Sequence, residues 1–400
     1  MLEPHTLLLV VLFVAANIAV RFYCKRFRLG LEAAISILFA HLLIAEFLTN
    51  RQTIFVGMVF FLSITMFHIV MVLTNRYGLE KLAALLPVLY LFTFLWGTSN
   101  FSYQSFNAKA VLLIGYSYLC FRLLLLCIER EQSDLKSPTY LRTLDYGFFP
   151  AVLLAGPITS FASFSKSRDS GAFNCDWFGS IQVIIVGLLK LFVLSPVLNL
   201  LTFEPYLERT TVPTLNGILL SSMAYYVFLW ANFSGYCDVA VGISKCVGVR
   251  IDENFNKPFL ALNVQDFWAR WHITLSSVMR RVIFFPIVIF MGRCFPHLSL
   301  NIIIAIGVFT TFALVGVWHG FAINYLIFGF LHGFAVAFNT TVQRRRVSQK
   351  VKAVSGPLLP AFVKIRLSQA LTFIYVSITF TFFANDWETL KKLFDSLNYG

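Results

Sequence analysis

The sequence predicts an all-α polytopic membrane protein, and three observations carry that prediction. Hydrophobic residues fill 58% of the 400 positions and charged residues only 13%, against about 25% charged in an ordinary soluble domain. Apolar runs recur along the chain, several near the ~18 residues a helix needs to cross a bilayer. The basic residues behind the formal net charge of +13 gather in short loops between those runs. That is the positive-inside pattern, not a nucleic-acid surface. The mean hydropathy of +0.76 agrees.

The first apolar run, about Thr6 to Val20, is preceded only by Glu3 and His5 and followed by Arg21, Lys25, Arg26 and Arg28. This asymmetry puts the N-terminus outside and the basic loop in the cytoplasm. The run lacks the basic leader and small-residue cleavage site of a secretory signal, so no cleaved signal peptide is expected. Runs at about Leu31 to Leu48 and Ile54 to Leu73 follow, and the basic loop Arg76 to Lys81 falls again on the cytoplasmic side. A fourth run is Leu82 to Trp96. The nearly uncharged loop Gly97 to Asn107 suits the outer face, and a fifth run, Ala108 to Ile128, returns inside at Glu129-Arg130-Glu131. His41, Glu46 and His68 are single polar residues on these runs and read as helix–helix contacts or interfacial groups. The seven cysteines, from Cys24 through Cys175 to Cys294, show no metal spacing; Cys120 and Cys127 read as two buried thiols.

From Tyr146 to Phe164 the apolar pattern is broken by Pro150, Gly156 and Pro157. Proline removes a backbone donor, and irregular backbone survives at membrane depth only when protein or a cavity covers it. A re-entrant or broken helix is expected there. Runs at about Phe178 to Leu201 and Leu215 to Phe233 come next. Residues 234–277 then mix charge with aromatics and read as too polar to span. Within that cytoplasmic-side segment, Val264 to Met279 reads as one amphipathic helix. Phe267, Trp268, Trp271, Leu275 and Val278 share a face, and Asp266, Arg270 and Ser277 lie opposite. His272 falls at the edge of the apolar face. Val282 to Met291 is a short apolar segment interrupted by Pro286. The last spans are about Leu300 to Val317, His319 to Phe338 and Leu371 to Phe383. Arg344-Arg345-Arg346, with Lys350, Lys352, Lys364 and Arg366, marks a cytoplasmic loop between the final two. About ten to twelve membrane segments are expected, in one domain covering residues 1–400.

Thr310 to Asn339 concentrates the chemistry. It is apolar enough for a bilayer yet carries His319 and His332, each followed by glycine. A titratable side chain at membrane depth is costly, which makes it a functional candidate. The sequence shows no GxSxG elbow, HExxH or P-loop, and no paired intramembrane carboxylates of the kind an ion-coupled transporter uses. A neutral histidine in a low-dielectric pocket can take a proton from an acceptor hydroxyl as it attacks an activated acyl group. That scheme needs neither a metal nor a covalent protein nucleophile. His319 and His272 are the candidates for it. The competing reading of His319 is a buried histidine bonded to a neighbouring carbonyl. His332 would lie about 220° around and about 20 Å along an unbroken helix from His319. It therefore reads as a polar contact to a neighbouring helix, and His297, beside Pro296, has no expected role.

Five segments carry a family likeness: FFPAVLLAGPI (Phe148 to Ile158), FSGYCDVAVGISKCVGV (Phe233 to Val249), ENFNKPF (Glu253 to Phe259), DFWARWHITLS (Asp266 to Ser276) and VWHG…GFLHG (Val317 to Gly333). In order and approximate spacing they resemble the membrane-bound O-acyltransferase family, in the bacterial cell-envelope branch that serves alginate O-acetylation and teichoic acid D-alanylation. The resemblance covers most of the chain. It implies a ring of transmembrane and re-entrant helices around a central tunnel. His319, in the WHG motif, becomes the catalytic histidine, and His272, in the RWH segment, a second functional position in the same tunnel. Trp318, Trp271, Trp268, Asn254, Asn256 and Lys257 become the expected tunnel and supporting residues. No cofactor is implied: the donor is an acyl thioester, on a phosphopantetheinyl acyl carrier protein or on CoA, entering from inside. After RWHITLS the chain reads SVMRRVIFFPIVIFMGR, without the Asp and Gly-Gly usual in the alginate type. ENFNKPF looks like the D-alanyl branch and FTFFANDWETL like the alginate branch, so D-alanyl and acetyl both stay open.

The expected function is transfer of that acyl group to a hydroxyl of an extracytoplasmic envelope polymer, or of a relay partner transferase, at the bacterial cytoplasmic membrane. An acidic carrier would dock near the basic loops and the Val264 to Met279 segment. The alternative is an exporter of an acylated precursor without chemistry of its own, which inverted repeats would favour; the sequence shows none. A scaffold with structural histidines is the third reading.

Overall fold

The computed structural model describes residues 4–23, 27–45, 50–77, 79–91, 115–132, 137–169, 176–210, 213–349 and 360–398. The loop 97–107, Glu46, Cys24, Cys175, Lys350 and Lys352 lie outside them. Among the described residues the chain is helical, with one isolated antiparallel bridge, Phe255 to Trp271, and no strand. Seven helical stretches are long and apolar enough to cross a membrane: Arg28–Ala45, Thr53–Arg76, Trp177–Arg209, Ile273–Cys294, Leu300–His319, Ile323–Arg344 and Phe362–Ala384. Leu8–Arg21 and Leu82–Leu91 are shorter apolar helices. The protein is therefore a multi-pass membrane protein. Its described residues group into two compact units.

The first unit comprises Met1–Leu188 and Tyr236–Glu253. Helices α1 (Pro4–Tyr23), α2 (Arg28–Ala45), α3 (Asn50–Arg76), α4 (Ser117–Gln132), α5 (Tyr140–Phe148) and α6 (Phe161–Asp169) build it with α7 (Trp177–Leu189, as far as Leu188). Phe13, Phe39, Phe60, Phe149 and Phe164 are buried between them. In lipid there is no hydrophobic drive between helices, so packing and polar contacts must hold such a bundle. Here the polar contacts include neutral pairs, Ser63 with Tyr116 and Thr65 with Tyr140, and an ionic cluster. Arg142 Nη1 lies 3.2 Å from Glu32 Oε2 and 3.1 Å from Asp145 Oδ2, and Arg168 Nη2 donates to Asp145 Oδ1 at 2.9 Å. Asn17 accepts from Arg168, and Ser36 donates to Asp145. The cluster ties α1, α2, α5 and α6 together. Glu32 and Asp145 are far apart in sequence and come to share Arg142 only in the fold.

The broken segment is where it was expected. Helix α5 ends at Phe148, Pro150–Val152 makes a single 3₁₀ turn, and helix resumes at Phe161. Arg122 on α4, fully buried, donates at 2.8 Å to the carbonyls of both Tyr146 and Gly147. Those are carbonyls that a helix end leaves without partners. Glu129 accepts from the Ala162 N–H at the start of α6, at 3.0 Å, where a carboxylate also suits the helix dipole.

The second unit comprises Leu189–Gly235 and Asn254–Gly400. Four sequence expectations change here. Helix α8 runs from Leu215 to Cys246, well past Phe233, so the start of the polar segment is helical. Its last part, Tyr236 to Cys246, belongs to the first unit, where Ser244 donates to the Ala240 carbonyl one turn back and Gly242 has no room for a side chain against Ile184. Val264 to Met279 is not one helix. It is α9 (Val264–Arg270) and α10 (Ile273–Met279), broken at His272, whose φ of 44° is left-handed. Helix α10 then continues through a π turn at Arg280–Phe284 into α11 (Phe285–Cys294), giving one span where a short interrupted segment was expected. The π turn ends two residues before Pro286, and a second one, Lys190–Leu194, ends two residues before Pro196. Each widened turn accommodates the amide that proline cannot supply.

The fourth change concerns the ends of helices. His319 closes α12 (Leu300–His319) instead of opening α13 (Ile323–Gln349). The two helices run antiparallel and very close. A Cβ on Gly316 would sit 2.5 Å from the Tyr325 carbonyl oxygen, and one on Gly329 would strike the Phe312 carbonyl. Small residues at a helix interface permit this approach in membranes. Helix α14 (Ala361–Ala384) begins ahead of the expected span and takes Lys364 and Arg366 into its first turns. A final helix, α15 (Trp387–Asn398), was not anticipated; Asp386 caps it through the Thr389 N–H at 2.8 Å, and Leu390 and Leu393 bury one face.

A candidate active site built on three histidines

All three histidines of interest lie in the second unit, and the fold treats each differently. His272 stands at the break between α9 and α10, 5% exposed. Asn254 makes the break. Its carbonyl takes the Ile273 N–H at 3.0 Å, and its side-chain Oδ1 takes the Thr274 N–H at 3.2 Å and the Thr274 hydroxyl at 2.9 Å. Those contacts serve the first amides of α10, which no helical carbonyl reaches. Because a backbone N–H points at it, that side-chain atom is oxygen and accepts only. His272 Nδ1, 3.1 Å away, must therefore donate to it. The proton sits on Nδ1, and Nε2 carries the basic lone pair. Burial first, and His319 second, hold the imidazole well below its ordinary value, at about 3, so the ring is neutral. The Phe233 ring packs edge-on at 4.8 Å.

His319 ends α12 half-buried, between the Trp318 ring at 4.4 Å and the Phe383 edge at 4.7 Å. Tyr325 lies beyond, at 6.2 Å. Among the described residues no hydrogen bond reaches either nitrogen.

His332 is the opposite case. It is 0% exposed, its Nδ1 faces Trp268 Nε1 at 3.2 Å, and its Nε2 faces Thr379 Oγ1 at 2.9 Å. Both nitrogens are committed within the protein.

Of the other expected residues, Trp271 is buried and stacks on Phe267 at 5.5 Å. Asn256 and Lys257 are exposed; the Asn256 N–H donates to the Arg270 carbonyl at 2.9 Å, and its carbonyl accepts from Arg270 Nη1 at 3.4 Å. Lys257 adopts a left-handed turn with φ 47°. A cavity of about 500 Å³ opens between α9, α10, α12 and α13. It reaches from Thr340 and Gln265, past Arg280 and Trp268, to Val315, one helical turn before His319, and Leu275, three residues after His272. Sequence reasoning passed over Lys190, which lies inside a membrane span with its ammonium 4.9 Å from the Trp230 ring. A lone lysine in a long apolar run was the available signal. No cluster of three or more His, Cys, Asp or Glu side chains forms a metal site among the described residues.

The family model described as MBOAT, membrane-bound O-acyltransferase family, matches residues 42–379. Over 225 residues the chain is 34% identical to a teichoic acid D-alanyltransferase of Bacillus subtilis (strain 168), covering 55% of this chain and 56% of that one. It is 28% identical over 294 residues to the teichoic acid D-alanyltransferase of Streptococcus thermophilus, covering 70% of each. A probable alginate O-acetylase of Pseudomonas aeruginosa is 29% identical over 244 residues, 60% of this chain and 45% of the relative. The match thus spans about half the length of two of these three relatives.

Proposed function

Because the chain belongs to the membrane-bound O-acyltransferase family, we propose that it moves a small acyl group, D-alanyl or acetyl, from a cytoplasmic thioester to an extracytoplasmic hydroxyl. The hydroxyl belongs to an envelope glycan or to a partner transferase, and the membrane is the bacterial cytoplasmic one. In this reading the helices ring a central tunnel. The observation that carries it is the contrast between His319, half-buried and without a hydrogen-bond partner among the described residues, and His332, fully committed.

In the proposed step an imidazole nitrogen of His319 removes the acceptor's hydroxyl proton as the oxygen attacks the thioester carbonyl. The carbon–sulfur bond breaks, and the imidazolium returns the proton to the leaving thiolate. One hydroxyl and one thioester become one ester and one thiol. His272, with its lone pair on Nε2 and its ring fixed by Asn254, orients the reacting groups beside it. The Arg280 cavity supports a cytoplasmic approach for the donor, on CoA or on an acidic carrier drawn by Lys257. Unchanged donor affinity in a Lys257 variant would count against docking there.

The test compares wild type with His319→Ala at matched membrane levels. Base-labile acyl groups are released from the envelope polymers and weighed by mass spectrometry. A small acyl group that vanishes with the variant supports the proposal, and its mass decides between D-alanyl and acetyl. Equal release from a folded variant removes His319 as the base and favours an exporter or scaffold.

A further inference from the structure

The hydrogen bonds around His332 fix its tautomer. The Trp268 indole nitrogen can only donate, so His332 Nδ1 accepts. Thr379 Oγ1 lies 2.8 Å from the Val376 carbonyl, which can only accept, so the hydroxyl proton is used there. His332 Nε2 therefore carries the proton and donates to Thr379 Oγ1. The result is a closed, directional chain from the Trp268 indole through the imidazole and the Thr379 hydroxyl to the Val376 carbonyl. It joins α9, α13 and α14. The imidazole is enclosed by the Phe328 ring at 4.5 Å and by Phe267 and Phe312, stacked at 6.1 and 6.4 Å, so neither water nor substrate has a route to it.

Trp268 lies one turn before His272, and α9 ends at the break where His272 turns left-handed. The ring of His272 is thus aimed from two sides. Asn254 grips its Nδ1 directly, and the Trp268 bond fixes the helix that delivers it. We propose that His332 is a positioning residue for His272, acting through Trp268, and takes no part in proton transfer. This rests on the reading of His319 as the base and His272 as the residue that orients the reacting groups beside it.

Purified full-length protein in nanodiscs would be assayed with the donor thioester identified by the His319→Ala comparison. His332→Leu removes both bonds; His332→Gln keeps one acceptor and one donor; Trp268→Phe removes the donor alone. A displacement of about 1 Å at a catalytic group costs roughly 10²-fold in rate, so His332→Leu and Trp268→Phe each lose about that in kcat; donor KM is little changed in His332→Leu, whose imidazole does not line the donor cavity. His332→Gln recovers most of it, and the double variant falls no further than either single. A purely structural role predicts lower thermal stability, full kcat per folded molecule and no advantage of Gln over Leu.

A second readout does not depend on activity. Diethyl pyrocarbonate modification of His272, followed by peptide mass spectrometry, should change several-fold in His332→Leu and in Trp268→Phe. Full kcat in folded His332→Leu, equal loss in Leu and Gln variants, or unaltered labelling of His272 in Trp268→Phe would each overturn the proposal. If His319→Ala itself stays active, the functional reading fails first, and the labelling result still decides whether His332 positions His272.

Discussion

One guanidinium nitrogen of Arg142 joins two buried carboxylates, standing 3.2 Å from Glu32 and 3.1 Å from Asp145. Both acids are 0% exposed, and Asp145 also takes Arg168 and Ser36. Neutralising one acid strands the cations it served, and breaking a buried pair in this way costs about 3–5 kcal/mol. Asp145→Asn should lower the thermal midpoint sharply in detergent-purified protein. An unchanged midpoint would mean that the cluster contributes no stability.

The α12–α13 contact predicts a contrast between two glycines. Gly329→Ala drives a methyl group into the Phe312 carbonyl and should destabilise by about 1–3 kcal/mol, because backbone cannot yield as a side chain can. Gly292→Ala meets nothing within 4 Å and should be neutral or stabilising by up to about 1 kcal/mol, the usual gain from replacing a helical glycine. Thermal unfolding of the two variants separates close approach from simple helix propensity.

Asn254→Ala removes the acceptor that fixes the His272 tautomer and caps α10. Transfer should fall by roughly 10–100-fold, the range seen when a group that orients an imidazole is lost. Initial rates at matched protein levels measure this. Thr274→Val, which removes only the hydroxyl contact, should lose much less.

The buried His272 adds a pH dependence with a definite sign. Its folded value of about 3 lies below the ~6.5 of an unfolded chain, so protons bind the unfolded state more readily. The stability it contributes is complete above about pH 6.5 and declines as pH falls towards 3. Asparagine tolerates a left-handed backbone and does not titrate. His272→Asn should therefore keep the turn and show a shallower loss of thermal midpoint between pH 7 and pH 5. Equal slopes in the two proteins would exclude His272 as a contributor.

The apolar runs and the break after Phe148 were legible, because composition and proline act locally. The division of Val264 to Met279 was not. A helical wheel sees the shared face of Phe267, Trp268, Trp271, Leu275 and Val278, buried except for the half-buried Trp268, but not Asn254, which caps the second half from the loop ahead of α9. Glu32 with Asp145 was equally hidden, since each acid alone reads as a stray charge near a helix end. The commitment of His332 needed Trp268 and Thr379, partners that only the packing of α9 and α14 against α13 brings to its two nitrogens.

The π turns have a consequence for chain length. A turn closed by i→i+5 bonds holds one residue more than its α counterpart, and one residue corresponds to about 100° of helix rotation. The turn absorbs that extra residue locally: deleting a single residue within Arg280–Phe284 would let it close as ordinary α-helix with Phe285–Cys294 still in phase against Leu300–His319, whereas closing it as α-helix with all five residues kept would rotate Phe285–Cys294 by about 100°. The Val288 and Phe284 contacts that fill the space over Gly307 would then leave that groove. Length is thus a quantity the fold reads here: these five residues hold the phase between the half of the span that begins beside His272 and the half that packs against α12.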